Sequence, residues 1–165
     1  MHSVRRLLPH EWRAYRELRL RALADSPDAF GTTLEVEQAK PDEYWSERLS
    51  STAASQFELP IIAEAEGKFV GLVWGWIDPS KPDTAHVFQM WVAPEARGKG
   101  LGARLLDSVV AWAREARVKS VMLRVTCGDS PARKLYVRAG FAPVGDPEPL
   151  RPHSSVLAQP MALSV

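Results

Sequence analysis

The segment Arg97-Gly98-Lys99-Gly100-Leu101-Gly102-Ala103 gathers glycines and two cations where the chain changes character. Upstream, Thr84-Ala-His-Val-Phe-Gln-Met-Trp-Val92 is rich in β-branched and aromatic residues, the composition of a strand. Downstream, Leu101, Leu105, Leu106, Val109, Val110 and Ala113 recur at three- and four-residue steps, which predicts a helix with one buried face. The first N–H groups of a helix lack internal partners and sit at the positive end of its dipole, and glycines let a ligand oxygen approach them. Arg97 and Lys99 add charge at the same place. The chemistry of this junction is anion binding, with a phosphate or pyrophosphate as the natural guest.

Glycine-rich turns have several uses. Gly98-x-Gly100-x-x-Ala103 fits the dinucleotide fingerprint, and Asp129 could pass for its acidic ribose ligand. That layout would place Asp129 late and leave residues 1–96 ahead of a fold that usually begins at the fingerprint. A nucleotide P-loop fails because Gly98-Lys99 is followed by Gly100 and not by Ser or Thr. A plain solvated strand-to-helix turn is the remaining bland reading.

More residues agree with another pattern. Arg97-x-x-Gly100-x-Gly102, after a strand ending in Trp91-Val92-Ala93-Pro94 and before an amphipathic helix, resembles the acetyl-CoA signature of the GNAT superfamily of N-acetyltransferases. Val125-Thr-Cys-Gly-Asp-Ser-Pro-Ala-Arg-Lys-Leu-Tyr-Val-Arg-Ala-Gly-Phe141 looks like the second motif of that family: a strand end, a helix carrying Leu-Tyr, and a closing Gly-Phe. The two ordered motifs cover residues 84–141.

The resemblance implies roles for particular residues. Arg97, Gly98, Lys99, Gly100, Leu101, Gly102 and Ala103 would hold the pyrophosphate of acetyl-CoA, the cosubstrate. A bulge near Met90–Trp91 would free backbone groups of Met90, Trp91 and Val92 to polarise the acetyl carbonyl and to pair with the pantetheine arm. Tyr136 stands where the family often has a tyrosine that protonates or stabilises the CoA thiolate. Asp129 occupies a position where many members have asparagine; it keeps the acceptors and the capping ability but lacks the amide donors that contact the pantetheine.

For the proton of the amine, His86 lies on the organising strand near the place where several members put a glutamate or histidine, and a midpoint near 6.5 suits that task. A strand histidine that merely faces solvent or packs in the core fits equally well. Glu35 and Glu37 are further candidates for attracting a cationic amine. Nothing pairs Cys127 with a histidine, and it reads as a buried or half-buried small residue.

Several elements must position these groups. Residues 3–8 suit an edge strand, and Pro9 opens a helix to about residue 24 with Trp12, Tyr15, Leu18, Ala22 and Leu23 on one face. Arg13, Arg16, Arg19 and Arg21 fall elsewhere and, interleaved with Glu11 and Glu17, read as a solvated face. Residues 25–41 carry turn signals around Phe30-Gly31, and a second helix runs from about Pro41 to Ser50 with Tyr44, Trp45 and Leu49 as its stripe. In the resembled family this helix–loop–helix segment covers the acceptor; Phe30 and Trp45 fit plain core equally.

Residues 60–66 and 69–77 form a hairpin about Gly67-Lys68, with Trp74 and Trp76 on one face. Strands at 84–92 and 120–126, helices to about Ala116 and over 130–139, and a last strand within 155–163 complete the order. The fold class is α/β with a mixed sheet. By resemblance it is the GNAT fold, a mostly antiparallel sheet of six to seven strands splayed in the middle and flanked by about four helices.

The 165 residues read as a single N-acetyltransferase domain, large enough to bury most of its surface without metal or disulfide. A net charge of +1 gives no reason to expect nucleic acid or a membrane surface as partner. One cysteine and the lack of a long apolar run fit a reducing, cytoplasmic setting. The leading expectation is transfer of acetyl from acetyl-CoA directly to a primary amine of a small molecule or peptide, without a metal. A non-catalytic acyl-CoA-binding module and a dinucleotide-dependent oxidoreductase stand as alternatives, and a homodimer is left open.

Overall fold

The computed structural model describes residues 2–165. Strand β1 (His2–Arg6) leads into helix α1 (Trp12–Asp25), the short helix α2 (Leu34–Gln38) and helix α3 (Asp42–Ala53). Strands β2 (Glu58–Ala65), β3 (Lys68–Ile77) and β4 (Thr84–Val92) form an antiparallel meander. Helix α4 (Leu101–Glu115), strand β5 (Ser120–Thr126) and helix α5 (Pro131–Arg138) follow. The chain closes with β6 (Ala142–Pro143), β7 (Glu148–Pro149) and β8 (Leu157–Ser164). The sheet has the order β1-β2-β3-β4-β5-β8-β6, with β7 also paired to β8.

Helices cover both faces, and the small residues of β3 decide how closely. The whole α4 stripe is buried, from Leu101 through Ala113. It lies against Gly71 and Gly75; a Cβ on Gly75 would come within 2.9 Å of the Trp112 ring and 3.1 Å of Val109. Glycine at these positions is therefore a packing requirement of the helix–sheet layer. On the other face, Tyr15 of α1 meets the rings of Trp45 (5.7 Å) and Trp74 (5.5 Å) and ties α1, α3 and β3 into one aromatic core.

Local signals placed these elements to within a few residues. The hairpin turn is Glu66–Gly67, one residue earlier than the spacing suggested, because Ala65 pairs with Lys68 and both turn residues have positive φ (51° and 78°). Helix α3 runs on to Ala53, and the α2 turn, capped by the Thr33 side chain on the Val36 N–H, carries too short a pattern to be read. Arg19 does not belong to a solvated face: it is buried beneath Phe30, and the arginine run points in different directions. Cys127 is exposed at the end of β5 and not half-buried.

Candidate active site

One sheet feature creates the site. Strands β4 and β5 are parallel neighbours, but they pair only at Thr84–Ser120, Ala85–Val121 and His86–Met122. Beyond His86 the strands separate, although β4 continues to Val92 and β5 to Thr126. The cause lies in β4. Trp91 is opposite Leu72 and Phe88 opposite Trp74, so Gln89 and Met90 together face the single residue Val73. This bulge bends the strand, and Gln89 takes a left-handed conformation (φ 56°) to make it. The extra residue sits at Gln89–Met90, one position before the Met90–Trp91 expected from resemblance.

The bulge is pinned from α1. The Tyr15 hydroxyl donates to Gln89 Oε1 at 2.7 Å. Lower on the same helix, Asp25 Oδ2 accepts from Trp91 Nε1 (3.1 Å) and Arg97 Nη2 (3.0 Å), while Arg97 Nε reaches the Val92 carbonyl (2.9 Å). The hydroxyl of Ser26, with Trp91 and Arg97, holds the Asp25 carboxyl below its ordinary range. Arg97 is thus a strut between helix, strand and turn, and its guanidinium turns back toward Asp25.

The turn itself presents backbone. Gly98 and Gly100 adopt left-handed φ values of 77° and 78°. None of the N–H groups of residues 98–103 has an acceptor among the described residues; the first that does is Arg104, bonded to the Gly100 carbonyl at 3.1 Å. The side chain of Leu101 is in the core, so only its N–H is available, and Lys99 is exposed. Gly102 lies close to Leu135 of α5, where a Cβ would stand 3.2 Å from Leu135 Cδ2. An anion fits this cradle on backbone grounds alone.

A cleft of about 810 Å³ extends from the split. Tyr136 and His86 both line it, together with Gln89 and Met90. Tyr136 is buried, packs on Phe141 (6.1 Å between rings) and has no hydrogen-bond partner among the described residues. Burial pushes its phenol well above the ordinary value, so the proton stays on. His86 packs beside the rings of Trp76 (5.4 Å) and Phe88 (5.9 Å), which also touch each other (6.2 Å). Burial lowers its pKa, opposed by Asp78 and reinforced by Lys81, which favours the neutral imidazole.

Other expected residues lie apart. The Trp91 side chain turns to Asp25 and is buried away from the cleft, and Val92 points toward Gly102 on the α4 side. Asp129 is exposed, 3.8 Å from Lys134, and Ser130 caps α5 instead by accepting from the Arg133 N–H. Trp45 is core, Glu35 is exposed, and Glu37 is buried against Lys40. Sequence reasoning read Tyr15 only as core and Arg19 only as solvated, and gave no site role to Gln89, Arg48, Glu58 or Arg124; the placement of all six depends on partners far along the chain. No cluster of metal-ligating side chains occurs among the described residues, and no described helix is long and apolar enough to cross a membrane.

A profile of the Acetyltransferase (GNAT) family matches residues 9–141. The chain belongs to the GNAT acetyltransferase family. It is 35% identical over 80 residues to L-2,4-diaminobutyric acid acetyltransferase of Virgibacillus pantothenticus, covering 48% of this chain and 50% of that protein. It is 33% identical over 132 residues to mycothiol acetyltransferase of Salinispora arenicola, covering 78% of this chain and 40% of that one. The chain therefore spans half or less of the length of these relatives. Among solved structures, a GNAT-family acetyltransferase from Streptococcus pneumoniae superposes with a TM-score of 0.87 over 100% of this chain and 99% of that chain, at 19% identity. A structure from Salmonella typhimurium described with its cofactor acetyl-CoA gives 0.81 over 99% and 94%, at 16% identity. The GNAT fold is thus shared with these structures. With a single parallel pair among the described residues and every other pair antiparallel, it is not the doubly wound sheet of a dinucleotide-binding domain.

Proposed function

We propose that this GNAT protein is an N-acetyltransferase that moves acetyl from acetyl-CoA directly to a primary amine. The observation that supports this most is the joining of the β4–β5 split to the row of unpaired N–H groups at residues 98–103. An extended thioester whose far end carries a pyrophosphate matches both parts of that surface.

The cosubstrate supplies an activated acyl carbon and a thiol leaving group. The chain supplies the rest. Backbone N–H groups of residues 98–103 anchor the pyrophosphate, and the exposed edge of β4 pairs with the pantetheine amides as an added strand would. The bulge at Gln89–Met90 directs backbone toward the split, where an N–H stabilises charge developing on the carbonyl oxygen. The new C–N bond forms as the C–S bond breaks. Tyr136, kept protonated by burial, donates its proton to the departing sulfur. His86, neutral and at the end of the β4–β5 ladder, accepts the amine proton directly or through water.

The test is release of CoA thiol from acetyl-CoA across a panel of amines, with Tyr136→Phe in parallel. Acceptor-dependent release that falls about a hundredfold or more in the variant supports the assignment, the usual scale for a lost proton donor. Tight acetyl-CoA binding with no release from any amine would instead identify a non-catalytic acyl-CoA-binding module.

A further inference from the structure

The charged side chains in the cleft wall are Arg19, Arg48, Glu58, Arg124 and Glu148. Four of them form pairs: Arg48 Nη1 with Glu58 Oε1 at 3.2 Å, and Arg124 Nη1 with Glu148 Oε1 at 3.2 Å. Glu58 Oε1 also accepts from Trp74 Nε1 at 3.2 Å. Arg19 has only a longer contact, with Glu37.

Arg19 is 4% exposed, and its Nε and Nη1 are buried without an acceptor among the described residues. Its Nη2 stands 3.8 Å from Glu37 Oε1, an ion pair beyond hydrogen-bond reach. Glu37 is itself held by Lys40 Nζ at 2.6 Å. One carboxylate therefore faces two cations, and it is closer to Lys40 than to the buried guanidinium in the wall. Burial lowers the pKa of Arg19, yet a guanidinium does not give up its proton in a protein, so the charge persists. A buried cation whose counter-ion is distant and shared is costly, and an anion in the adjacent cleft relieves that cost.

Position narrows the identity of that anion. The pyrophosphate cradle at residues 98–103 lies beyond the far end of β4 and does not line this cleft. Arg19 lies one helical turn beyond Tyr15, the residue that holds the bulge through Gln89. Phe30 covers one face of the guanidinium at 4.7 Å, which leaves the in-plane N–H groups as the binding edge. The remaining walls near the bulge are Trp74, Trp76 and Phe88.

Resting on the transferase reading, we propose that the acceptor is a small aminocarboxylate whose carboxylate is received by Arg19 while its amine faces the bulge at Gln89–Met90. The amine nitrogen bonds to the acetyl carbon and loses a proton to the base, the C–S bond breaks, and the thiolate takes a proton. The products are an N-acetyl aminocarboxylate and free CoA.

The experiment pairs the standard L-amino acids, β-alanine and γ-aminobutyrate with their carboxamides and follows CoA thiol release. In the unaltered protein the preferred carboxylate exceeds its carboxamide in kcat/KM by about tenfold or more, the scale of hydrogen bonds to a charged group. Arg19→Met brings that ratio close to one by raising KM for the carboxylate, and leaves the carboxamide and acetyl-CoA binding nearly unchanged. Arg19→Lys, which keeps the charge but loses the planar fork, gives an intermediate ratio and serves if the Met variant does not fold. A purely structural role for Arg19 would depress both members of a pair alike and leave the ratio where it was, which overturns the proposal. Turnover of carboxamides as good as that of carboxylates overturns it too, while leaving the transferase reading in place. Release from no amine, with acetyl-CoA bound by calorimetry, sinks both.

Discussion

The Tyr15 hydroxyl and the Gln89 side chain meet at 2.7 Å, joining the first helix to the one non-glycine residue of β4 in a left-handed conformation. Gln89 is where the strand gains its extra residue, so this bond fixes the bulge at its left-handed residue, while Asp25 of the same helix holds Trp91 further along the strand. Tyr15 is buried, and desolvation, which outweighs the opposing effect of Arg19, keeps its phenol protonated as the donor. Tyr15→Phe leaves the Gln89 oxygen without its donor at a cost of about 1–3 kcal/mol in stability. We expect kcat to fall about tenfold while acetyl-CoA affinity changes little, because the pyrophosphate cradle is independent of this contact. Stopped-flow turnover and calorimetry on the same preparation check the split; an equal loss in both would show that the bond is merely structural.

Gly100 shows how the turn depends on backbone shape. A Cβ there would meet nothing within 4 Å, but φ is 78°. Gly100→Ala therefore tests conformation without a clash, and the left-handed state costs roughly 1–2 kcal/mol. Either the strain remains and lowers Tm, or the turn relaxes and the N–H groups lose their common aim. Acetyl-CoA affinity is expected to fall about tenfold, read by calorimetry, with acceptor KM little affected. Unchanged affinity would remove this turn from the cosubstrate site.

His86 gives a pH signature. Its folded pKa is depressed below the ordinary 6.5, chiefly by burial. The unfolded chain then binds the proton more readily, so the contribution of His86 is complete above about pH 6.5 and is lost as pH falls through the folded value. His86→Gln should flatten the part of the Tm profile that falls away below about pH 6.5. If His86 is the base, the acidic limb of kcat/KM should also shift or vanish in the variant. A stability change with an unaltered rate profile would make His86 a packing residue against Trp76 and Phe88.

Tyr136 separates catalysis from stability in the opposite way. Its hydroxyl has no partner among the described residues, so Tyr136→Phe removes no hydrogen bond while retaining the ring contact with Phe141. Tm should hold or rise slightly while the transfer rate collapses. A marked fall in Tm would instead show that the hydroxyl has a structural partner, such as a bound water.

What could be read in the sequence was local. The α4 stripe, the glycine turn and the β2–β3 hairpin announce themselves within a dozen residues, because helical and strand periods and turn residues act at short range. The bulge was displaced by one residue since nothing in Phe88-Gln89-Met90 marks which residue will take positive φ. Arg19 reads as a surface arginine among others; Phe30 of the α1–α2 loop and Glu37 of α2 are brought over it. That loop is fastened from the far end of the chain, where Arg151 Nη1 donates to the carbonyls of Pro27 (2.9 Å) and Phe30 (2.8 Å). Contacts across such separations leave no periodic trace.

A β-sheet normally meets the outside along its two outermost strands, and those borders invite unwanted pairing with other chains. Here the separation of β4 from β5 opens two further borders in the middle of the sheet. The groups offered there, along Phe88–Val92 and Leu123–Thr126, belong to the main chain. Recognition of a partner by such a border is written in the path of the backbone, and the side chains on either strand are free to change so long as the path is kept. The two halves of the sheet also share only a short seam at Thr84–His86 and Ser120–Met122, so small changes in the angle between them would alter the width of the opening without unravelling either half.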